Sequence, residues 1–187
     1  MKLNNKRTIL VGLAFLSICA FWQMYDSIVP LILTKTFHMN ETFSGAIMAA
    51  DNILALFLLP FFGSVSDKSH SKLGKRMPFI LFGTGCAIIL MNSLPLLDNS
   101  YAAQPSGFKT ASFVIVLGLL LVAMGTYRAP AVALMPDVTP KPLRSRANAI
   151  INLMGAVGGI LYLGVAAVLY PNSKTAGLDH VNYQPLF

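Results

Sequence analysis

The stretch ASFVIVLGLLLVAMGTYRAPAVALMP, residues 111–136, carries a single charged side chain, Arg128. A helix rises about 1.5 Å per residue, so about 20 apolar residues cross a hydrocarbon layer of about 30 Å. Four further apolar runs of comparable length flank it, at about 9–33, 43–65, 78–97 and 147–170. Hydrocarbon offers no water to backbone N–H and C=O groups, so each run is predicted to be a helix, which satisfies those groups internally. Of the 187 residues, 55% are hydrophobic and 11% charged, against about 25% charged in soluble domains. A soluble bundle would require five helices apolar on every face, which excludes that class. The expected fold is all-α and integral to a membrane, with five transmembrane helices and a polar external tail over residues 171–187.

The formal charge of +7 is distributed by side. Lys2, Lys6 and Arg7 precede the first run; Lys68, Lys72, Lys75 and Arg76 separate the second and third; Lys141, Arg144 and Arg146 separate the fourth and fifth. The other gaps and the tail hold only Lys35, Lys109 and Lys174. Excess Lys and Arg marks cytoplasmic loops, so the N-terminus and both basic loops are expected in the cytoplasm of a multi-pass cell-membrane protein. The basic balance then serves topology and anionic headgroups of the bilayer, not nucleic acid. The first run is too long for a signal-peptide core, contains Gln23 and Asp26, and has no small-residue cleavage site behind it. Cys19 and Cys86 fall inside spans, where neither a disulfide framework nor a metal site is expected.

Charged groups within a bilayer are costly and mark functional sites. Three are present: Asp26, Asp51 and Arg128. At about 1.5 Å per residue, Asp26 and Asp51 lie roughly 10 and 12 Å below the outer surface, and Arg128 about 12 Å above the inner one. The vertical separation is then about 6–10 Å in a core of about 30 Å, within reach of an arginine. A shared polar site follows, with a carboxylate balancing the guanidinium. Other roles stand beside it: Arg128 snorkelling to headgroups, Asp51 as an interhelical acceptor, Asp26 solvated in a vestibule. Gln23, Tyr25 and Asn52 add hydrogen-bonding groups, and Trp22 and Tyr25 offer apolar ring faces for a sugar or for packing. In the fifth run Asn148, Asn152, Gly155 and Gly159 share one helical face. Gly155 and Gly159 form a GxxxG pair that permits close helix approach, and the asparagines are candidates for a cavity wall. Pro30 and Pro60 are expected to interrupt their helices, Pro130 follows Arg128 closely, and each removes a backbone bond and permits a kink.

Two blocks carry a resemblance. Gly63-Ser64-Val65-Ser66-Asp67-Lys68 followed by Gly74-Lys75-Arg76 resembles the signature between helices 2 and 3 of the major facilitator superfamily. Its continuation Met77-Pro78-Phe79-Ile80 is similar to the sucrose-transporter branch and its bacterial relatives. So is Tyr127-Arg128-Ala129-Pro130 … Ala133-Leu134-Met135-Pro136-Asp137, running on through Arg144-Ser145-Arg146-Ala147-Asn148-Ala149. The resemblance implies twelve helices in two six-helix halves, of which this chain matches the first five. It implies a helix-4 arginine, Arg128, that contacts sugar hydroxyls, and a cytoplasmic gate formed by Gly63, Asp67, Lys68, Gly74, Lys75 and Arg76. The sodium–melibiose type of glycoside symporter is similar over helices 2 and 3. The acidic positions of its cation site correspond here to Ala55 and Leu59, leaving Asp51 as the acidic group of helix 2. A proton carried by Asp26 or Asp51 is therefore expected in place of sodium.

The expected function is proton-coupled symport of a sugar or glycoside such as a disaccharide by alternating access, with Arg128, Asp26, Gln23, Tyr25 and Asn152 binding substrate. The expected partners are that sugar, the proton, the bilayer and a missing C-terminal half. Two rivals remain: a sodium-coupled symporter or exporter of another solute, and a truncated, non-transporting fragment or assembly partner. No metal-ligand cluster, phosphate loop or nucleophile–base set is present, so neither an enzyme nor a cofactor is expected.

Overall fold

The computed structural model describes residues 5–178 and 180–187, and each apolar run coincides to within two residues with a long helix or lies inside one. These are α1 (Asn5–Leu31), α2 (Glu41–Lys68), α3 (Met77–Ala103), α4 (Gly107–Val138) and α5 (Arg144–Leu169). A π-helical turn, Ile32–Thr36, extends α1, and the short helix α6 (Asn172–Thr175) follows α5. No strand occurs among the described residues. All five long helices have the length and hydropathy to cross a membrane.

The ends are set by local chemistry. The Asn40 side chain accepts a hydrogen bond from the Thr42 N–H at 3.1 Å and caps α2. Pro78 occupies the first turn of α3, where its missing N–H is not needed. Cations from the following helix satisfy the last carbonyls of the preceding one. Lys109 Nζ donates to the Ser100 and Gln104 carbonyls at 2.8 and 2.9 Å, closing α3. Arg144 donates to the Pro136 and Thr139 carbonyls at 2.9 and 3.3 Å, closing α4. Two expectations are corrected. Pro60 lies inside an uninterrupted helix, and only the segment after Pro30 changes to a wider turn. In addition, α3 runs past its apolar stretch through Asp98, Asn99, Ser100 and Tyr101. Asp98 is buried there, beneath residues near the C-terminus.

The helices pack in pairs: α1 with α5, α3 with α4, and α2 with α4, while α1 and α4 meet at the centre. Lipid is as apolar as leucine, so such contacts depend on close steric fit and small residues. A Cβ at Gly83 would stand 2.9 Å from Tyr127 Cβ, which fixes the approach of α3 to α4. A Cβ at Gly158 would overlap the Leu16 carbonyl oxygen, so α5 lies backbone-to-backbone against α1. This refines the expected pair. Ala147, Ile151, Gly155 and Gly158 are the buried stripe of α5, and a Cβ at Gly159 would only touch Gln23 Oε1 at 3.6 Å. The core runs along α1 and α4, with Met24, Tyr25, Val29, Ile32, Leu33, Phe113, Leu117, Leu120 and Met124 almost fully buried. By contrast, α2 buries only Ser44 and Ser66. The segment after α5 does not hang free: Val181, Tyr183 and Leu186 are buried against the core.

Candidate functional site

An open cavity of about 470 Å³ lies among α1, α2 and α4, lined by Cys19, Trp22, Gln23, Asp26, Asp51, Asn52, Ala55 and Arg128. Successive turns of α1 present Cys19, Trp22 or Gln23, and Asp26, spaced three to four residues apart on one face. Asp51, Asn52 and Ala55 do the same on α2. Arg128 enters from α4, so all three charged residues read from the sequence converge on one hollow. Snorkelling of Arg128 to a headgroup does not occur in this arrangement.

The electrostatics differ from the expectation in one respect. Arg128 makes no ion pair among the described residues. Its guanidinium carbon sits 4.9 Å from the centroid of the Trp22 ring, a cation–π contact. Trp22 is itself held edge-on by Phe21 and Tyr25, at centroid distances of 5.6 and 5.4 Å. Asp51 Oδ1 and Trp22 Nε1 are buried without hydrogen-bond partners among the described residues, and Gln23 Nε2 donates to Ser27 Oγ at 3.3 Å. The hollow therefore presents a cation with its N–H groups uncommitted, carboxylates with free acceptor capacity, two amides and an indole. A polyol carries both hydroxyl donors and acceptors along with apolar C–H faces, and this set can meet all of them.

Two sequence-derived candidates are not on the cavity wall. Tyr25 faces the core, fully buried, with its hydroxyl unpartnered among the described residues. Asn152 is exposed on the face of α5 next to the buried stripe, and does not line the hollow. A helix pattern alone does not separate adjacent stripes about 100° apart, which is why both residues were drawn into the expected site.

At the basic end of the bundle, Arg76 forms ion pairs with Asp67 at 2.8 Å and with Asp137. Its Nη1 also donates to Ser66 Oγ at 3.2 Å, and that hydroxyl donates to the Gly63 carbonyl at 2.8 Å. Asp67 and Asp137 stand at the C-terminal ends of α2 and α4, where the helix dipole disfavours negative charge. Arg76 compensates both. The loop reaches that position through Gly74, whose φ of +97° is open to glycine and strained for other residues. Of the expected gate residues, Asp67, Gly74 and Arg76 thus act together. Lys68 and Lys75 are exposed and make no ion pair among the described residues, and a Cβ at Gly63 would meet nothing within 4 Å. Asp137 was absent from the expected gate. It lies 61 residues from Arg76 along the chain, and only its place at the end of the arginine-bearing α4 hinted at this pairing.

Comparison with known proteins gives a consistent pattern. The sequence pattern of the Major Facilitator Superfamily matches residues 11–175. The sucrose transport protein SUC3 of Arabidopsis thaliana is 34% identical over 158 residues, covering 78% of this chain and 26% of that protein. The sucrose transport protein SUT3 of Oryza sativa subsp. indica is 36% identical over 154 residues, covering 75% of this chain and 30% of that protein. The sucrose transport protein SUT4 of the same rice is 30% identical over 154 residues, covering 75% and 25%. The chain therefore spans about a quarter to a third of the length of the curated relatives it matches. No solved structure gives a significant match.

Proposed function

The chain belongs to the major facilitator superfamily, and from that premise we propose that it forms the N-terminal part of a proton-coupled symporter for a sugar or glycoside such as a disaccharide. One observation carries the reading: Arg128, Asp26 and Asp51 line one hollow, and the arginine rests on an indole with no carboxylate bound to it. A guanidinium already paired with an acid has few donors left for a ligand; this one retains them. Arg128 donates to sugar hydroxyls, Gln23 and Asn52 hold further hydroxyls, and Trp22 lies against a C–H face of the ring. Asp26 or Asp51 carries the proton. Loading is a population shift: the proton and sugar bias the carrier only as far as they bind one facing state better than the other. The partner is a second bundle, contributed by the rest of a longer protein, that closes over the hollow and rocks against this one. The ion-paired end, Asp67–Arg76–Asp137, then fastens the cytoplasmic side. The protein resides in the cell membrane with its N-terminus and basic loops inside, and it catalyses no covalent step.

The test is uptake of labelled disaccharide by the complete protein in vesicles, with and without a proton gradient. Accumulation driven by acid outside supports the reading. Accumulation that follows a sodium gradient, or equilibration indifferent to protons, removes the coupling. Uptake that survives Arg128→Lys removes the sugar-binding role, since an ammonium cannot reproduce the fork of donors.

A further inference from the structure

The end of the bundle opposite the basic loops contains a second set of titratable groups, remote from the hollow. Asp98 of α3 is 0% exposed, neither of its carboxylate oxygens makes a well-formed hydrogen bond among the described residues, and the Thr36 hydroxyl is the nearby donor. His180, from the segment after α6, stands with Nδ1 3.8 Å from Asp98 Oδ2. The same Nδ1 lies 3.2 Å from the Thr36 hydroxyl at the end of the π-helical turn. On the other side of the ring, Nε2 lies 3.1 Å from Asn99 Oδ1.

The surrounding amides fix where the imidazole protons sit. Asn182 Oδ1 accepts from the Gln184 N–H at 3.0 Å, so that atom is an oxygen. It also accepts from Asn99 Nδ2 at 3.0 Å, which turns Asn99 Oδ1 toward His180. An oxygen facing Nε2 requires a proton on Nε2. The remaining ring position, Nδ1, faces the Thr36 hydroxyl and the buried acid. If Nδ1 is bare and Asp98 is ionised, a lone pair confronts a carboxylate shielded from water, and the one proton of the Thr36 hydroxyl cannot serve both. A single added proton, on Nδ1 or on the carboxyl, removes that conflict.

We infer that Asp98 and His180 form a proton-binding site that fastens residues 180–187 across the ends of α1 and α3. The fastened segment buries Val181, Tyr183 and Leu186 and is closed by the Tyr170 hydroxyl, which donates to the Asn182 carbonyl at 2.6 Å. Other ionisable groups near the pair are His38 and Tyr101, which line a cavity of about 200 Å³ with His180, and Tyr170 and Tyr183, whose tilted rings meet at 5.3 Å between centroids. Burial, then the charge of Asp98, holds the Tyr183 phenol above its ordinary range, so it stays neutral. Lys35, beside Thr36, is exposed.

The sign of the pH effect follows from proton counting. In the opened segment a free carboxylate titrates near about 3.9 and a free imidazole near about 6.5. Between those values the opened pair already carries one proton, and closing needs none. Above about 6.5 the opened imidazole has lost it, so closure must take a proton from solution and is disfavoured up to about tenfold per pH unit.

The experiment is amide hydrogen exchange of the 180–187 segment in the full chain, in lipid nanodiscs, from about pH 5 to about pH 8.5. Rates are corrected for the intrinsic base dependence of exchange. Protection is expected to hold steady to about pH 6.5 and then fall by up to about tenfold per unit. Asp98→Asn supplies a neutral amide that donates to Nδ1, so closure no longer takes up a proton and the fall above about pH 6.5 disappears. His180→Gln, at a partly exposed position, removes the imidazole that holds the proton below about pH 6.5, so protection is weaker at pH 5.5 and the onset of the fall at about pH 6.5 is lost. A flat profile in the unaltered chain overturns the inference, as does a fall that still begins at about pH 6.5 in either variant.

Discussion

The ion-paired end and the central hollow use the same chemistry in opposite ways. At the basic end one arginine holds two carboxylates and a serine hydroxyl, and every donor of consequence is engaged. In the hollow an arginine shares a cavity with two carboxylates and pairs with neither, resting on Trp22 instead. The first arrangement resists change because removing any member strands the others. The second leaves its donors and acceptors uncommitted. Charge in this bundle is therefore paired at one level and left unpaired at another, which is where the proposed sugar site lies.

The contrast breaks most readily at Arg128. Arg128→Met is expected to cut uptake by the complete protein at least about 100-fold, about 2.7 kcal/mol of transition-state stabilisation, while the thermal midpoint in detergent hardly moves. A large loss of stability would show that this arginine holds the bundle as Arg76 does. Next in size is Gly158→Ala. Its Cβ would collide with the Leu16 carbonyl, a fixed backbone atom, so the α1–α5 contact must open, at a cost of about 1–3 kcal/mol read by thermal unfolding. Arg76→Met strands Asp67 and Asp137 at two helix C-termini, and unfolding should come earlier by about 1–2 kcal/mol, moderated because both carboxylates are half exposed. Arg76→Lys restores part of this. Trp22→Leu removes the ring beneath the guanidinium, worth about 1 kcal/mol, and should raise the KM for sugar about fivefold with little change in stability. The smallest effect belongs to Gly63→Ala. With open space around it, the added methyl should leave stability within about 0.5 kcal/mol. A loss of transport there without loss of stability would assign Gly63 to a contact formed only in the complete carrier.

The five spans were legible because hydropathy over twenty residues is a bulk property that packing does not override. The convergence of Asp26, Asp51 and Arg128 was legible from depth alone, since three helices with buried charge at similar heights have few ways to satisfy them. Other features depended on contacts that a linear pattern does not encode. Asp98 reads as the start of a polar loop, yet it lies within α3 because residues distant in the chain cover it. Asn152 and Gly159 sit one stripe away from the true α1–α5 seam, and the helical period does not say which stripe a neighbour will choose. A motif placed Asp67 and Arg76 in one gate; their pairing, and that of Arg76 with Asp137, needed the fold. Trp22 was visible as an aromatic near the charges, but nothing in the spacing said that it would replace a carboxylate beneath Arg128.

The seam at Gly158 also determines which part of the bundle is free to shift. With the α5 backbone against the α1 backbone, those two helices travel as one rod, and Asp26 moves only with both. The grip on α2 is lighter, since it encloses just two serines. Asp51 is mounted on that helix. A tilt of α2 against a stationary α1–α5 rod would alter the spacing between the two acids, turning a mechanical displacement into a change in their mutual repulsion.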